Sequence, residues 1–183
     1  AVGTSLANII PTSIISAYSH YKMKAVDSNL IKLIAPSLII GVILGALVVS
    51  NISGSVLMLI YAVLLFFIAL LFFFWQDRWQ LANGFPRNNL KHVYGSLIGF
   101  LSTIIGIGGG SLSTPLLKIY KFEIHRAIGT AAGIGAIIAI PGTIGFIISG
   151  IYNNVSLPLS LGYVNFLGLM MISPMTVLAA PYG

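Results

Sequence analysis

The sequence predicts an all-α membrane protein, a polytopic bundle of transmembrane helices. Of its 183 residues, 57% are hydrophobic and only 7% are charged, and the mean hydropathy is +1.02. A soluble domain carries roughly a quarter charged residues, so this chain has too little polar surface to cover a globule in water. Its apolar residues also fall in stretches of about 20, the length that a helix needs to cross a bilayer.

Apolar stretches follow one another along the chain, separated by short loops. The candidate spans are residues 2–18, 31–49, 55–75, 93–117, 127–149 and 157–180. Five of them are long enough to span, while the first is interrupted by Gly3-Thr4-Ser5 and by Pro11. The second carries Gly41 and Gly45, a spacing that lets two helices approach closely.

The basic residues are confined to three loop segments. They are Lys22, Lys24 and Lys32, then Arg78, Arg87 and Lys91, then Lys118, Lys121 and Arg126. By the positive-inside rule these segments are cytoplasmic, and the neutral connections 50–54 and 150–156 are external. Basic groups that flank apolar spans suit anionic lipid and membrane topology, so no nucleic-acid partner is expected.

Residues 93–117 alone separate the second basic segment from the third. This stretch is too short for two full spans, each of which needs about 20 residues. We therefore expect it to be re-entrant, entering and leaving on one side with a turn at residues 106–110. One ordinary tilted span is the alternative.

The stretch from Ile105 to Pro115 is a poor helix former, because it holds four glycines and a proline. Glycine leaves the backbone unrestrained, and proline lacks a backbone donor. In a bilayer, open backbone is tolerated only where protein or a water-filled cavity covers its polar groups. We expect a helix break at membrane depth that brings bare backbone N–H groups close to a ligand.

Such a break would suit a small anion. The N-terminus of a helix carries about half a positive charge and free N–H groups, and glycines let a ligand approach the backbone. The candidate substrate-binding residues are Gly106, Gly108, Gly109, Gly110 and Ser111, then Gly129 and Thr130, and finally Gly3, Thr4, Ser5 and Asn8. Ser113 and Thr114 are further possible donors. Alternatively, the glycines only allow tight packing and the hydroxyls bond to their own helices.

Ionisable side chains are few and lie at the ends of the spans. The acids are Asp27, Asp77 and Glu123, and the histidines are His20, His92 and His125. Intramembrane acids mark proton relays, and hydrolysis needs a nucleophile beside a base. We therefore expect no catalytic residue, metal site or cofactor, and no enzyme activity. The pair His20 and Asp27 gates the pathway, binds a coupling ion or makes a solvated loop contact.

Two parts of the chain resemble each other. Residues 1–5 read AVGTS and residues 127–131 read AIGTA, and Ala-Pro at 35–36 corresponds to Ser-Pro at 173–174. The loop between these marks is basic in the first copy and neutral in the second, as expected for inverted-topology repeats. Chance recurrence of small residues is the alternative.

The repeat suggests a division of the chain into three parts. Residues 1–75 are the remainder of a first transmembrane repeat, residues 76–92 are a cytoplasmic linker, and residues 93–183 are a second repeat that is incomplete at its C-terminus. The chain begins and ends within apolar sequence, and we interpret it as an internal piece of a longer protein.

The glycine break, the Gly-Thr helix starts and the repeat occur together in one order. The set comprises Gly106-x-Gly108-Gly109-Gly110, Pro115, Ala127-x-Gly129-Thr130, Ala1-x-Gly3-Thr4-Ser5, His20, Val26-Asp27, Gly41 and Gly45. It resembles the sulfite exporter TauE/SafE family of bacterial membrane proteins over nearly the whole chain. In one departure, Ala131 stands where the family often has a serine, which removes a hydroxyl from the candidate site.

The resemblance implies a secondary carrier of small anions, such as sulfite or organosulfonates. It further implies a multi-pass protein of the bacterial inner membrane, whose partners are its substrate and the lipid bilayer. A passive anion channel and a non-catalytic membrane subunit of a larger assembly are the alternatives. The substrate, the direction of transport and the coupling ion stay open, as does the oligomeric state, for which a homo-oligomer is one option.

Overall fold

The computed structural model describes residues 2–73, 84–86, 89–154 and 158–180, and this part is all-α apart from one short β-hairpin. Its helices are α1 (Val2–Lys22), α2 (Ser28–Ser50), α3 (Gly54–Phe73), α4 (Leu90–Ile105), α5 (Gly110–Ile119), α6 (Ile124–Tyr152) and α7 (Phe166–Ala179). The strands are β1 (Ser160–Leu161) and β2 (Val164–Asn165), which pair antiparallel. The predicted all-α class is confirmed.

Within the described ranges, two helices are long and apolar enough to cross a membrane. These are α2, with 23 residues and a mean hydropathy of 2.5, and α6, with 29 residues and 2.1. Helix α3 exposes large apolar side chains such as Met58, Leu59 and Phe66. Apolar groups on an outer surface suit lipid rather than water, so the structure has the character of an all-α membrane protein.

Helices α1 and α6 form the antiparallel centre of the bundle. Gly3 at the start of α1 packs against Phe146 near the end of α6, and Gly129 near the start of α6 packs against His20 near the end of α1. Helix α2 packs on both α6 and α4. A Cβ at Gly41 would collide with the carbonyl of Ser96, so glycine here allows the close helix approach that the sequence predicts.

The region around the glycine break folds as a helical hairpin of α4 and α5. The hydroxyl of Tyr120, at the end of α5, donates to that of Tyr94, near the start of α4, over 3.0 Å. Both arms from these tyrosines to the break are about 16 Å long, at a rise of about 1.5 Å per residue. The hairpin predicted for residues 93–117 is therefore present, and both of its ends lie at one end of the bundle.

The last predicted span is wrong in its first part. Residues 158–165 form a turn and the β1–β2 hairpin, and the helix begins only at Phe166. Gly162 has a left-handed φ of +57° and packs against the carbonyl of Ile147, which holds this turn on the end of α6. Asn165 then caps α7, because its Oδ1 accepts from the N–H of Gly168 over 2.8 Å. An apolar composition alone did not reveal these turns.

The inverted repeat is visible as equivalent contacts at the two ends of the bundle. Each residue of α6 is equivalent to the residue of α1 whose number is lower by 126. For α7 and α2 the difference in number is 138. A Cβ on Gly3 would lie 2.9 Å from the Tyr163 carbonyl oxygen, and a Cβ on Gly129 would lie 2.6 Å from that of Ala25. These pairs are equivalent, and α1 and α6 run in opposite directions. Most of the predicted linker 76–92 lies outside the described residues, so the proposed domain division stays a prediction.

Candidate functional site

The break between α4 and α5 is made by three glycines with left-handed backbone. Gly106 ends α4 with φ +76°, Gly108 has φ +74°, and Gly109 precedes α5 with φ +78°. Glycine adopts this conformation at little cost, whereas a side chain would strain it. The N–H groups of Gly106 and Ile107 both donate to the carbonyl of Ser102, over 2.8 and 3.3 Å, which closes the end of α4.

The next five backbone N–H groups, from Gly108 to Leu112, have no hydrogen-bond partner within the described part of the chain. The first N–H group of α5 with a partner is that of Ser113, which donates to the carbonyl of Gly109 over 2.8 Å. The first turn of any helix leaves such donors free, and the helix dipole makes this end positive. The break thus presents a run of donors at the positive end of α5.

The glycine loop lies between the middle of α1 and the middle of α6. A Cβ on Gly108 would lie 2.7 Å from Ile9 of α1, and a Cβ on Gly135 of α6 would lie 2.8 Å from the carbonyl oxygen of Gly108. The hydroxyl of Ser5 donates to the carbonyl of Gly106 over 2.8 Å. Ser5 thus holds the loop through an acceptor, and the loop sits deep within the bundle as predicted.

A cavity of about 540 Å³ adjoins the start of α5. Gly110, Ser111 and Thr114 of α5 line it, and none of its lining residues is charged. The other walls are apolar and come from Ile107, from Leu65 and Ile68 of α3, and from Ile128, Ala131 and Ala132 of α6. A Cβ on Gly110 would meet no atom within 4 Å, so the backbone at this position faces open space.

Two serine hydroxyls lie buried behind the break. Ser102 and Ser113 are both fully buried, and neither hydroxyl has a hydrogen-bond partner among the described residues. The oxygen of Ser102 lies 3.4 Å from the position that a Cβ on Gly109 would take. Our sequence interpretation missed Ser102, although a polar Ser-Thr pair one turn before a glycine break is a readable signal. The adjacent Thr103 donates to the carbonyl of Gly99 in its own helix over 2.7 Å.

Thr4 and Thr130 lie at equivalent contacts between the repeats. The hydroxyl oxygen of Thr4 accepts from the backbone N–H of Asn165, and that of Thr130 accepts from the backbone N–H of Asp27, both over 3.0 Å. Asp27 caps α2 just as Asn165 caps α7, because its Oδ1 accepts from the N–H of Leu30 over 3.0 Å. Each threonine therefore holds the start of a helix that belongs to the other repeat.

The two threonines lie at opposite ends of the α1–α6 pair. Thr4 is at the start of α1, and Thr130 lies beside Asp27, which follows the end of α1. The two are roughly 20–25 Å apart along the helix axis, at about 1.5 Å per residue. One small anion cannot contact both hydroxyls across this distance in this structure, and the role of either threonine in anion binding stays a prediction.

The remaining candidates make their described contacts with other segments of the bundle. Gly3 and Gly129 pack closely against backbone carbonyls, as expected if these glycines allow tight helix packing. The Oδ1 of Asn8 accepts from the hydroxyls of Ser173, over 2.8 Å, and of Thr176, over 3.4 Å. Asn8 thus joins α1 to α7. Of the predicted set, the structure brings Gly106 to Ser111 together with Ser5, and it leaves Gly3, Thr4, Asn8, Gly129 and Thr130 elsewhere.

The end of the bundle at which α2, α4 and α6 begin carries Lys91 and Arg126, and we call it the basic end. It holds an ion pair between the repeats. The guanidinium of Arg126 donates to Oδ2 of Asp27 over 2.8 Å, so Asp27 pairs with Arg126 rather than with His20. The Nδ1 atom of His20 is buried without a partner among the described residues. Nearby, burial and the hydrogen bond with Tyr94 raise the pKa of Tyr120 to about 12. No cluster of metal-ligating side chains occurs in the described ranges.

Comparisons with known proteins identify a family and several relatives by sequence. The family model described as sulfite exporter TauE/SafE matches residues 1–183. A probable membrane transporter protein of Haemophilus influenzae is 31% identical over 166 residues, which cover 90% of this chain and 62% of that protein. Probable membrane transporter proteins of Methanocaldococcus jannaschii and Bacillus subtilis are 31% and 28% identical, over 88% and 86% of this chain and 63% and 66% of their own lengths. The chain thus spans a little under two thirds of these relatives, and no solved structure matches it.

Proposed function

The chain belongs to the sulfite exporter TauE/SafE family, and we propose that it forms the anion-binding part of a membrane transporter. The substrate is a small sulfur oxyanion such as sulfite or an organosulfonate. The protein is a secondary carrier that spans the bacterial inner membrane several times, with its basic loops in the cytoplasm. Names of relatives support transport, and the anion is our inference from the site.

One observation carries the proposal: a run of five free N–H groups opens α5 in the middle of the bundle. Free amides at the positive end of a helix bind anionic oxygens well. Gly110 and Ser111 of this run also line the adjoining cavity, together with the hydroxyl-bearing Thr114. A neutral site of this kind releases its ligand readily, because none of the described residues that line it carries a charge.

The repeats supply the means for alternating access. Thr4 joins one pair of helices at one end of α1, and Thr130 joins the equivalent pair at the other end. Rocking of one repeat against the other opens the contact at one end while the contact at the other end stays closed. The glycine loop lies between these ends and is exposed to each side in turn.

Filling the cavity at Gly110 tests the proposal. Gly110 is the first residue of α5, has helical backbone and faces open space, so Gly110→Leu occupies the cavity without strain. Gly110→Ala adds only a methyl group and keeps the N–H. Gly54→Leu is a matched control, because Gly54 is the first residue of α3, also meets no atom within 4 Å and lines a different cavity.

Uptake of radiolabelled sulfite and methanesulfonate would be measured in proteoliposomes made with the whole protein. We expect Gly110→Leu to abolish uptake while Gly110→Ala and Gly54→Leu retain it, with equal melting temperatures for all. Counterflow into preloaded vesicles identifies a carrier, whereas its absence with non-saturating flux would indicate a channel. Normal uptake by Gly110→Leu would refute binding at the start of α5.

A further inference from the structure

A second cavity lies at the basic end of the bundle, separate from the cavity at the start of α5. It measures about 900 Å³ and lies between the starts of α2, α4 and α6. Its polar lining comes from Asp27, Asn29, Lys91 and Arg126. Phe85 and Phe122 contribute apolar walls. We call it the basic cavity.

The basic cavity has more positive than negative charge among its described lining residues. Arg126 and Lys91 face one carboxylate, that of Asp27. The side chain of Arg126 is 55% exposed, and its hydrogen bond to Asp27 uses a single nitrogen of a group with five N–H donors. Lys91 forms no ion pair within the described part of the chain. Donors for a bound oxyanion are therefore free at both cations.

Asp27 also joins the two repeats at this end. Asp27 contacts the start of α6 twice, through its backbone N–H to Thr130 and through Oδ2 to Arg126. At the opposite end the equivalent residue is Asn165, which keeps the bond to Thr4 but carries no charge. Among the described residues, the charged contact between the repeats lies at the basic end, where a competing anion can weaken it.

We propose that the basic cavity is a second oxyanion-binding site, in which Arg126 and Lys91 bind a small singly charged anion that displaces the carboxylate of Asp27. This inference rests on the proposed function, since the anion is the transported one on its way to or from the glycine break. Binding breaks the ion pair between the repeats and so loosens their contact at the basic end. The arginine of this pair is 55% exposed and the aspartate 16%, so solvent reaches the pair from the arginine side and weakens it, which lets the anion compete.

Two substitutions that break the same ion pair separate this proposal from a purely structural role. Asp27→Asn removes the charge and keeps an Oδ1 acceptor for the N–H of Leu30, because asparagine caps helices as well as aspartate does. It leaves Arg126 free for the anion. Arg126→Gln removes the anion's partner as well. We therefore expect opposite effects on anion affinity from the two variants.

Methanesulfonate is the probe, titrated calorimetrically into the whole protein in neutral-lipid nanodiscs. All variants carry Gly110→Leu, which blocks the site at the start of α5, so that the measured heat comes from binding in the basic cavity. Relative to this background, Arg126→Gln should bind about ten- to a hundredfold more weakly, as expected for lost hydrogen bonds to a charged ligand. Asp27→Asn should bind about two- to fivefold more tightly, because competition from a weak exposed pair is removed.

Lys91→Gln should weaken binding several-fold, and Lys32→Gln is its control. Lys32 belongs to the same basic end and loses the same charge, but it does not line the cavity. Equal shifts for Asp27→Asn and Arg126→Gln, or for both lysine variants, would overturn the basic-cavity site. Loss of methanesulfonate binding when the nanodisc contains anionic phospholipid would also overturn the proposal, since a lipid headgroup would then be the occupant.

The two proposals fail separately. Normal uptake by Gly110→Leu refutes the site at the start of α5, whatever the affinities at the basic cavity. Loss of uptake in Gly110→Leu, together with matching affinities for Asp27→Asn and Arg126→Gln, leaves the transporter proposal standing and removes the second site.

Discussion

Replacement of Thr130 by valine tests how the two repeats are joined. The change keeps the shape of the side chain and removes the acceptor for the backbone N–H of Asp27. Thr130 is fully buried, so water cannot replace the lost partner. An unsatisfied buried donor costs about 1–3 kcal/mol. For a chain of 150–250 residues each kcal/mol lowers the melting temperature by about 2–4 °C, so we expect a decrease of roughly 2–12 °C.

Two further variants calibrate this result. Thr4→Val removes the equivalent bond to Asn165, but Thr4 is only partly buried, so we expect a smaller decrease. Thr103→Val is the matched control, because Thr103 is as buried as Thr130 and its hydroxyl bonds only to its own helix. Since Thr4 and Thr130 lie at opposite ends of α1, the double variant should equal the sum within about 0.5 kcal/mol.

The assay is thermal unfolding of the whole protein in detergent, followed by fluorescence-detected size exclusion, with methanesulfonate affinity measured alongside. We expect lower melting temperatures for Thr130→Val and unchanged anion affinity for both single threonine variants. Equal melting of Thr130→Val and Thr103→Val would refute the capping role. A tenfold loss of anion affinity without destabilisation would instead make Thr130 a ligand of the substrate.

Two other predictions concern the hairpin and the basic end. Single cysteines can replace Lys22 and Lys121 in this cysteine-free chain. Both should resist an impermeant thiol reagent added to intact cells and react with it in inverted vesicles. Labelling of position 121 from outside the cells would contradict a hairpin with both ends inside. The pKa of Tyr120 is raised from 10.0 to about 12, so its contribution to stability is present below pH 10 and is lost as the pH rises toward 12. The melting temperature of Tyr120→Phe should therefore fall less than that of the unaltered protein between pH 9 and 11, and equal slopes would argue against this shift.

The hairpin could be predicted because two independent patterns agreed. The charge bias required both ends of residues 93–117 on one side, and the glycines at 106–110 supplied the only turn between them. Gly106, Gly108 and Gly109 have the left-handed φ values that glycine alone adopts cheaply. Membrane class and repeat were readable for a similar reason, since each rests on composition or spacing that survives in the linear sequence.

The partners of the threonines could not be predicted. A Gly-Thr pair at a helix start is compatible with a ligand and with a neighbouring helix, and the sequence contains no signal that separates these options. The partner of each threonine is determined by the turn that precedes α2 or α7, because this turn brings the N–H of Asp27 or Asn165 to the hydroxyl. The β-hairpin at 160–165 was missed along with this turn. The burial of Ser102 depends on how α4 packs, although the polar Ser-Thr pair one turn before the glycine break was a readable signal.

The position of Gly108 links the break to the repeat. Ile9 of α1 and Gly135 of α6 are equivalent residues of the two copies, and both contact Gly108. A point that touches equivalent positions of two inverted copies lies close to the axis that relates them. An anion held beside this loop moves little when one repeat rocks against the other, whereas the threonine contacts at the two ends move most. Glycine suits this position for two reasons: it adopts φ +74°, and it leaves room for Ile9 and for the close approach of α6.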